Sequence, residues 1–464
     1  MSVLTFLVKN EFTNFLSKHK KTFLLFTISI LCVLSKGSYV LSSEQNLDSD
    51  QAIPLLMAKR ILELREFPFF YWGQNYMGLF EVWLSLPLLF LFGLTISVFT
   101  CVEIIFCIAL SYYLYWIFLK ANEERPGIFL SVFFAIGHPN LNSHLVNVSE
   151  NYSSSLFFAF SGFLIVILLF RKINSAKLHL GIGLVFGLAF YNREILILVL
   201  PWAFAVYFTD WKILLKKIHF FLFGFSIGYI PAILHYLTTP HHKKLIRPTL
   251  HFSDNILSNV NYLEGKFLTS IFISGIEFYS FTILFLSLYG IFMLFKEKNE
   301  IVKKIFLYYL FGALTCLFVL ISSKSFSVER YYFYAQILPL FFGSYGFSKL
   351  FYRQKLIFLL VITILALSFG FQTFKEWQNS YNLSIKNPSA KFIAEKLKEK
   401  NLKHGFCEYW AGLTVSYFSD DEVFCLIYFD KQSDFYSAYK VIQNRAEFYL
   451  FRNAEYIQTD FSWA

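Results

Sequence analysis

Residues 47–60 read LDSDQAIPLLMAKR and residues 63–78 read ELREFPFFYWGQNYMG, and these two stretches decide the fold prediction. The apolar side chains of the first stretch and its continuation recur at helical spacing, at Ile53, Leu56, Met57, Ile61 and Leu64. A helix with one apolar face that lies beside polar loops is typical of a membrane surface. We therefore predict an interfacial helix here.

Two aspartates, Asp48 and Asp50, stand just before this helix. Aspartate is favoured at helix N-caps, where it contributes about 1 kcal/mol. A carboxylate at the same place can also act as a general base. The sequence leaves both interpretations open for each residue.

The composition excludes an ordinary water-soluble enzyme. Of 464 residues, 56% are hydrophobic and only 16% are charged, and the mean hydropathy is +0.52. One anchor of roughly 20 residues does not raise the average of so long a chain this far. The chain is therefore predicted to cross a membrane several times, as an all-α polytopic protein.

The net charge of +10 does not indicate a nucleic-acid partner, because the basic residues lie in short clusters between apolar runs. We expect a lipid bilayer around the chain and no nucleic acid. About eleven crossings are predicted, at Thr22–Val40, Thr95–Leu119, Gly127–Leu141, Ser153–Phe170, Leu178–Phe190, Ile195–Phe208, Ile218–Leu237, Phe278–Phe295, Ile305–Ile321, Tyr331–Phe347 and Leu356–Phe371. The run Leu79–Gly93 is short and holds Glu81, so we interpret it as a second interfacial helix.

Basic residues concentrate in alternate loops, which orients the chain by the positive-inside rule. The N-terminus is predicted to be cytoplasmic and the last segment extracytoplasmic, in a bacterial inner membrane. This predicts a membrane domain over 1–371, with its first external loop at 42–94, and a small extracytoplasmic α/β domain over 372–464.

The last segment differs from the rest in composition. Its periodicity predicts helices over Ala390–Lys400 and Asp434–Asn444 and strands over Gly405–Trp410 and Val423–Phe429. Cys407 and Cys425 fall in the two strands. A disulfide and two buried thiols both stay open.

Aromatic residues suited to sugars follow the interfacial helix. The rings of Tyr71, Trp72 and Tyr76 are amphipathic, and flat aromatic faces stack well on sugar rings. Gly73 and Gly78 allow tight turns between them. The acidic pair, the helix and this turn together predict a pocket at the outer membrane surface.

The chain here resembles the GT-C superfamily of membrane glycosyltransferases, in particular the family 39 type that includes protein mannosyltransferases and aminoarabinose transferases. The resemblance rests on SDQAIPLLMAKRILE and FPFFYWGQNYMGLFEVWLSLPLLFLFG in the first loop, and on GLAFYNREILILVLP and ERYYFYAQILPLF further on. It implies a donor made of a sugar on a polyprenyl phosphate, and a glycan, lipid or protein acceptor. By the match Asp50 corresponds to the catalytic base, with Asp48 beside it. Gln51 stands where the family often has a second acid.

A single base is enough for this chemistry, because a phosphate leaving group departs without protonation. In-line attack by the acceptor hydroxyl would invert the anomeric centre. The departing phosphate needs positive charge. Candidates are Arg193 and Arg330 at predicted span ends, and Lys243 and Arg247 in an external loop. Local ion pairs with Glu194 and Glu329, or a solvated loop, are the alternatives.

The second external loop adds Glu150, a candidate second acid that would place the acceptor or a metal ion. His138 and His144 do not have a recognised zinc spacing. We therefore assign no metal ligand, and no cofactor is certain, while a divalent cation stays open.

Two other functions share this outline. A transporter or flippase for a lipid-linked glycan also needs many spans, but it tends to place ionisable residues at mid-membrane and to consist of two related halves. A glycan polymerase or ligase differs only in using a pyrophosphate-linked donor. Because the candidate residues concentrate in external loops, transfer at the membrane surface is favoured.

Overall fold

The structure is a computed structural model, and it describes residues 3–43, 47–72, 74–137, 139–169, 175–193, 211–238, 277–321, 333–352, 390–407, 409–420, 422–427 and 448–450, with single positions between 354 and 378. Most of the described chain is helical. The predicted elements Ile195–Phe208, Leu356–Phe371 and Asp434–Asn444 lie wholly or largely outside these residues.

The described residues up to Asn192 form eight helices and one hairpin. In chain order they are α1 (Val3–Ser42), α2 (Ser49–Leu62), β1 (Phe70–Tyr71), β2 (Gln74–Gly78), α3 (Phe80–Phe92), α4 (Ile96–Lys120), α5 (Glu124–Ile136), α6 (Pro139–Leu145), α7 (Tyr152–Leu169) and α8 (Ala176–Asn192). The strands β1 and β2 pair antiparallel. Both helices predicted in the first external loop, α2 and α3, are therefore present.

The described elements of the second half are mostly helical until the last hundred residues. They are α9 (Trp211–Gly228), α10 (Ile230–Thr238), α11 (Glu277–Phe295), α12 (Glu300–Ile321), α13 (Phe333–Leu350), α14 (Ala390–Glu399), β3 (His404–Cys407), α15 (Tyr409–Phe418), β4 (Phe424–Ile427) and β5 (Phe448–Leu450).

Two helices are long and apolar enough to cross a membrane by length and composition, Lys21–Leu41 and Ile96–Lys120. Leu215–Gly228 and Ile230–Thr238 meet the same test as a pair bent by 59°, and only the described residues bear on this result. The chain therefore has the helices of a membrane protein, while the count of eleven crossings stays a prediction.

Two predicted spans differ from the helices observed. The span Gly127–Leu141 is broken, because the helix ends at Ile136 and Gly137 takes a φ of +67°, a conformation that favours glycine. The span Ile218–Leu237 is two helices that meet at Tyr229 with the 59° bend. Apolar composition alone does not locate such breaks.

The main core lies where α4, α5, α7 and α13 meet. Phe118 packs between Phe306 and Phe341, and Phe129 stacks against Phe133. Between helices in a membrane such rings stabilise the bundle through close van der Waals packing rather than by removal from water. This core fixes α4 and α7, which carry several of the polar residues described below.

The helices α8 and α9 cross at glycines. A Cβ atom at Gly183 would lie 2.0 Å from the backbone oxygen of Phe221, and one at Gly224 would lie 2.2 Å from the backbone oxygen of Leu180. Any side chain at these positions would therefore push the two backbones apart. Small residues at four-residue spacing commonly allow such close crossings between membrane helices.

The last hundred residues contain a three-stranded parallel sheet in the order β4-β3-β5. The helix predicted from Ala390 and both predicted strands are present in part, but the strand predicted over Gly405–Trp410 ends at Cys407, and Tyr409 already begins α15. That this segment forms a separate domain stays a prediction. The side chains of Cys407 and Cys425 lie outside the described set, so their pairing also stays open.

Candidate active site

The N-terminus of α2 begins with a complete capping box. The side chain of Asp48 accepts a 2.8 Å hydrogen bond from the backbone N–H of Gln51, and the Gln51 side chain accepts one of 3.4 Å from the backbone N–H of Asp48. The N-cap interpretation of Asp48 is thus confirmed. Asp50 lies in the first helical turn, where a negative charge is favoured by the helix dipole.

The second external loop brings a third carboxylate to this helix end. Glu150 lies close enough to act electrostatically on Asp48. The Gln51 side-chain amide donates a 3.3 Å hydrogen bond to Asn147 of the same loop. Glu150 itself lies 2.9 Å from the Nδ1 atom of His144. The structure therefore assembles three predicted site residues, Asp48, Asp50 and Glu150, from two loops about a hundred residues apart.

These surroundings raise the pKa of Asp48 to about 6. Burial is the largest cause, and the negative charges of Asp50 and Glu150 add to it, while the hydrogen bond from Gln51 works against it. An acid with a pKa near the working pH suits general base catalysis, because it is mostly ionised yet still basic.

Tyr71 lies beneath this cluster rather than on the surface. Its side chain is only 2% exposed, and its hydroxyl lies 2.9 Å from Oδ1 of Asn151 and 3.1 Å from the backbone oxygen of Val148. In this position Tyr71 joins the hairpin to the second external loop. Its predicted contact with a sugar stays a prediction, and the side chain of Tyr76 lies outside the described set.

A buried polar layer continues below Tyr71. The side chain of Asn151 donates 2.7 Å to the backbone oxygen of Gly78 and contacts Oδ1 of Asn192 at 3.3 Å. Asn192 in turn donates to the hydroxyls of Ser154 and Ser155. The end of β2, the start of α7 and the end of α8 are thus joined by side-chain hydrogen bonds.

Two glutamates that the sequence analysis did not select lie in this layer. Glu81 accepts from the Ser154 hydroxyl, Glu103 accepts from the Ser153 hydroxyl, and both side chains are fully buried. Glu103 interrupts a long apolar run, which is itself a signal, because ionisable residues within such runs are rare and functional by default. Asn151 and Asn192 gave no comparable signal.

Arg193 lies at the edge of the same layer. It is 5% exposed, its guanidinium lies 3.9 Å above the ring of Tyr152, and its Nη2 donates a 3.1 Å hydrogen bond to the Tyr152 hydroxyl. Its backbone pairs with Met77 of the hairpin. Among the described residues, the Nη1 atom has no hydrogen-bond partner. The predicted phosphate-binding arginine therefore lies inside the fold, below the acidic cluster.

The other predicted cations, Arg330, Lys243 and Arg247, lie outside the described residues, as do Glu194 and Glu329 with which local ion pairs were considered.

A divalent metal ion was left open by the sequence. Within the part of the chain that the structure describes, no three His, Cys, Asp or Glu side chains form a group able to hold a metal ion. The side chains of the described residues therefore do not fit a metal ion.

The helix α15 covers one flank of α2. Leu413 joins the apolar cluster of α2, the Tyr417 hydroxyl donates 3.0 Å to the backbone oxygen of Leu94, and Lys59 lies 2.6 Å from a carboxylate oxygen of Asp420. A cleft of about 260 Å³ remains between these helices. The last segment thus docks on the helix that carries the acidic cluster.

Comparison with solved structures identifies the fold. The chain is similar to the oligosaccharyltransferase of Archaeoglobus fulgidus in complex with zinc and sulfate, with a TM-score of 0.55 and 10% identity, over 87% of this chain and 62% of that one. The same enzyme tethered to an acceptor peptide containing an NVT sequon gives a TM-score of 0.54 and 12% identity, over 89% and 64% of the chains. Its complex with an inhibitory peptide and a dolichol-phosphate gives 0.51 and 12%, over 89% and 65%.

The chain thus spans less than two thirds of the length of these structures. No family model matches the sequence, and no curated protein matches it. The solved neighbour, AglB, is an archaeal oligosaccharyltransferase, and none of these comparisons confirms the family 39 type. The fold of this chain is therefore similar to that of this archaeal oligosaccharyltransferase over most of the chain's own length.

Proposed function

We propose that this protein is a membrane glycosyltransferase that moves a sugar or glycan from a polyprenyl-phosphate-type carrier to an acceptor hydroxyl or amide outside the membrane. The observation that carries the proposal is the meeting of Asp48, Asp50 and Glu150 at one helix end in a GT-C-like fold. The solved neighbours bind an acceptor peptide and a dolichol-phosphate, which supports a lipid-linked donor here.

In the proposed reaction Asp50 acts as general base, as the family resemblance implies. The acceptor attacks the anomeric carbon, its proton passes to the carboxylate, and the carrier phosphate leaves with the bonding electrons. Asp48 lies beside Asp50 at the start of α2, and the negative charges of Asp50 and Glu150 contribute to the raised pKa of Asp48. Glu150, held by His144, is proposed to orient the acceptor.

Arg193 is proposed to receive the leaving phosphate, together with Arg330, Lys243 and Arg247. Among the described residues the Nη1 atom of this buried guanidinium has no partner, so it can donate to a phosphate oxygen. The neighbouring ring of Tyr152 fixes the orientation of this side chain. Tyr71 supports the site from below, and Tyr76 is proposed to contact the sugar.

The function is tested with membranes that contain the parent chain or the variant Asp50→Asn, incubated with radiolabelled polyprenyl phosphate sugars and pyrophosphate-linked glycans. We expect labelled product from the parent and a loss of at least about a hundredfold in the variant, the usual effect of removing a general base. Equal product from both would remove Asp50 from the mechanism. The lysine variant Lys303→Met, far from this site, is the matched control.

A transporter for lipid-linked glycans is the second candidate. The bent pair α9–α10 and the buried Glu81 and Glu103 favour it, because broken helices and interior acids are typical of transporters. The same assay distinguishes the two, with proteoliposomes added. Movement of intact donor across the bilayer without a labelled transfer product would replace the enzyme proposal by transport.

A further inference from the structure

The interior contains two carboxyl groups that cannot both be ionised as they are placed. Glu81 on α3 and Glu103 on α4 are both 0% exposed, and their side chains are in hydrogen-bonding contact with each other. Each uses one oxygen to accept from a serine, Ser154 and Ser153 respectively. The second oxygen of each, Oε2 of Glu81 and Oε1 of Glu103, finds no donor in the described part of the protein.

The oxygen atoms of two ionised carboxylates are both hydrogen-bond acceptors, so they cannot form a hydrogen bond with each other. Two ionised carboxylates in contact would also repel strongly in a medium of low dielectric constant. One hydrogen atom placed between them removes both problems, because it supplies the missing donor and cancels one charge. Paired carboxyl groups that share a single proton are a known outcome of such contact.

Within the described part of the protein, Arg193 is the positive group that acts on the remaining negative charge. Arg193 acts electrostatically on Glu81, and its orphaned Nη1 lies in the same buried layer. Among the described residues, Tyr71 and Cys107 also interact electrostatically with the pair, and Lys36 acts on Cys107 and donates hydrogen bonds to the backbone oxygens of Phe134 and Ala135. One shared proton and one arginine therefore leave the layer with no net charge, the arrangement that costs least to bury.

We propose that Glu81 and Glu103 form a buried binding site for one proton, held on Glu103, and that the carboxylate left on Glu81 is the counter-ion that positions Arg193. The site is built from three separated segments of the chain, and the measurements that test it do not use transfer activity. Both glutamates are positioning residues, because they lie buried beside Tyr71 rather than at the acidic cluster.

The assignment predicts an asymmetry between two isosteric variants. Glu103→Gln keeps a donor for Glu81 and an acceptor for Ser153, so it should unfold at nearly the temperature of the parent. Glu81→Gln removes the charge that balances Arg193, so its midpoint of thermal unfolding should fall several times further. Adding Arg193→Gln to Glu81→Gln should recover part of that loss.

The direct test is infrared difference spectroscopy of the purified full chain in lipid nanodiscs at about pH 8, where Asp48 is ionised. We expect the parent to show the carbonyl stretch of a protonated, buried carboxylic acid, with the shift in D₂O of an exchangeable proton. Glu103→Gln should lack this band. A band that persists in Glu103→Gln would show that the proton is held elsewhere and would overturn the proposal. Equal losses of thermal stability in Glu81→Gln and Glu103→Gln would also overturn it. If Glu81→Gln does not fold, the Glu103→Gln spectrum alone still decides.

Discussion

Asp48 and Gln51 hold each other through two reciprocal hydrogen bonds, of 2.8 Å to the Asp48 side chain and 3.4 Å to that of Gln51. The same glutamine stands where the resembled family often has a second acid. The Gln51 side chain therefore has a structural role of its own. It completes the capping box and also donates a hydrogen bond to Asn147 of the second external loop. A structural role and a chemical role meet at Asp48, and they can be separated by mutation.

The first prediction separates these roles. Asp48→Ala should lower the free energy of unfolding by about 1 kcal/mol, because it removes the cap. Asp48→Asn should retain the cap, since asparagine is an equally good N-cap, but it should lower transfer if the negative charge matters. Thermal unfolding and the transfer assay, measured on both variants, check this. A fully active Asp48→Asn protein would leave Asp48 with the structural role alone.

The second prediction concerns pH. The pKa of Asp48, raised by burial and by neighbouring carboxylates from 3.8 to about 6, means that the folded protein binds this proton more tightly than the unfolded chain. Ionised Asp48 therefore lowers the free energy of unfolding by its full amount above about pH 6, and this loss of stability disappears as the pH falls towards 3.8. We expect the transfer rate to decline as the pH is lowered through about 6, while this residue's contribution to stability improves.

Asp48→Asn is the control for that pH dependence. It should lose the limb of the rate profile near pH 6 and the matching change in unfolding temperature, because it cannot titrate. Persistence of an unchanged limb in this variant would assign the titration to another group.

The third prediction concerns a pair of ion pairs made by Lys349, which is far along the chain from the acidic cluster. Lys349 lies 2.7 Å from Glu123 and 3.0 Å from Glu297, and so joins the α4–α5 and α11–α12 loops. Burial works against ionisation of Glu297, but hydrogen bonds from Tyr345, the backbone of Asn299 and Lys349 outweigh it and lower its pKa to about 2. Its stabilising effect is therefore present above about pH 4.5 and is lost as the pH falls towards 2.

Lys349→Met should lower the free energy of unfolding by about 1 to 3 kcal/mol, because it leaves two partly buried carboxylates without their cation. Lys303→Met is the matched control, since its partner Glu300 is 70% exposed and such pairs contribute little. Thermal unfolding at neutral pH compares them. Similar small losses of unfolding free energy in both variants would mean that the ion pairs of Lys349 contribute no more than a surface ion pair.

The sequence predicts the helices of this fold well where the apolar residues recur at helical spacing or form one long run. The apolar spacing around Ile53 and Met57 places α2, and the apolar runs place α7, α8 and α11 to within a few residues. These elements depend on short-range patterns. The break after Ile136 and the early end of the strand at Cys407 depend on a single backbone torsion or on packing, which an apolar run does not record.

The candidate site was predictable only in its outer part. Asp48, Asp50 and Glu150 are polar residues in polar loops, so they stand out in the sequence. Ser153, Ser154 and Asn192 look like ordinary residues at the ends of spans, and their importance appears only when α3, α4, α7 and α8 are brought together. A buried network is a property of the tertiary structure, and each partner on its own carries little signal.

The last prediction uses the crossing of α8 and α9. Replacing a helical glycine with alanine normally favours the helix by about 1 kcal/mol. At Gly181 the added Cβ would meet only the Cδ1 atom of Ile165 at 3.7 Å, an ordinary contact, so Gly181→Ala should be neutral or stabilising. At Gly224 it would lie 2.2 Å from the backbone oxygen of Leu180, which cannot move unless the helices separate. Gly224→Ala should therefore lower the unfolding temperature despite its better helix propensity. Equal shifts in the two variants, measured in the same nanodiscs, would show that the close crossing does not stabilise the bundle.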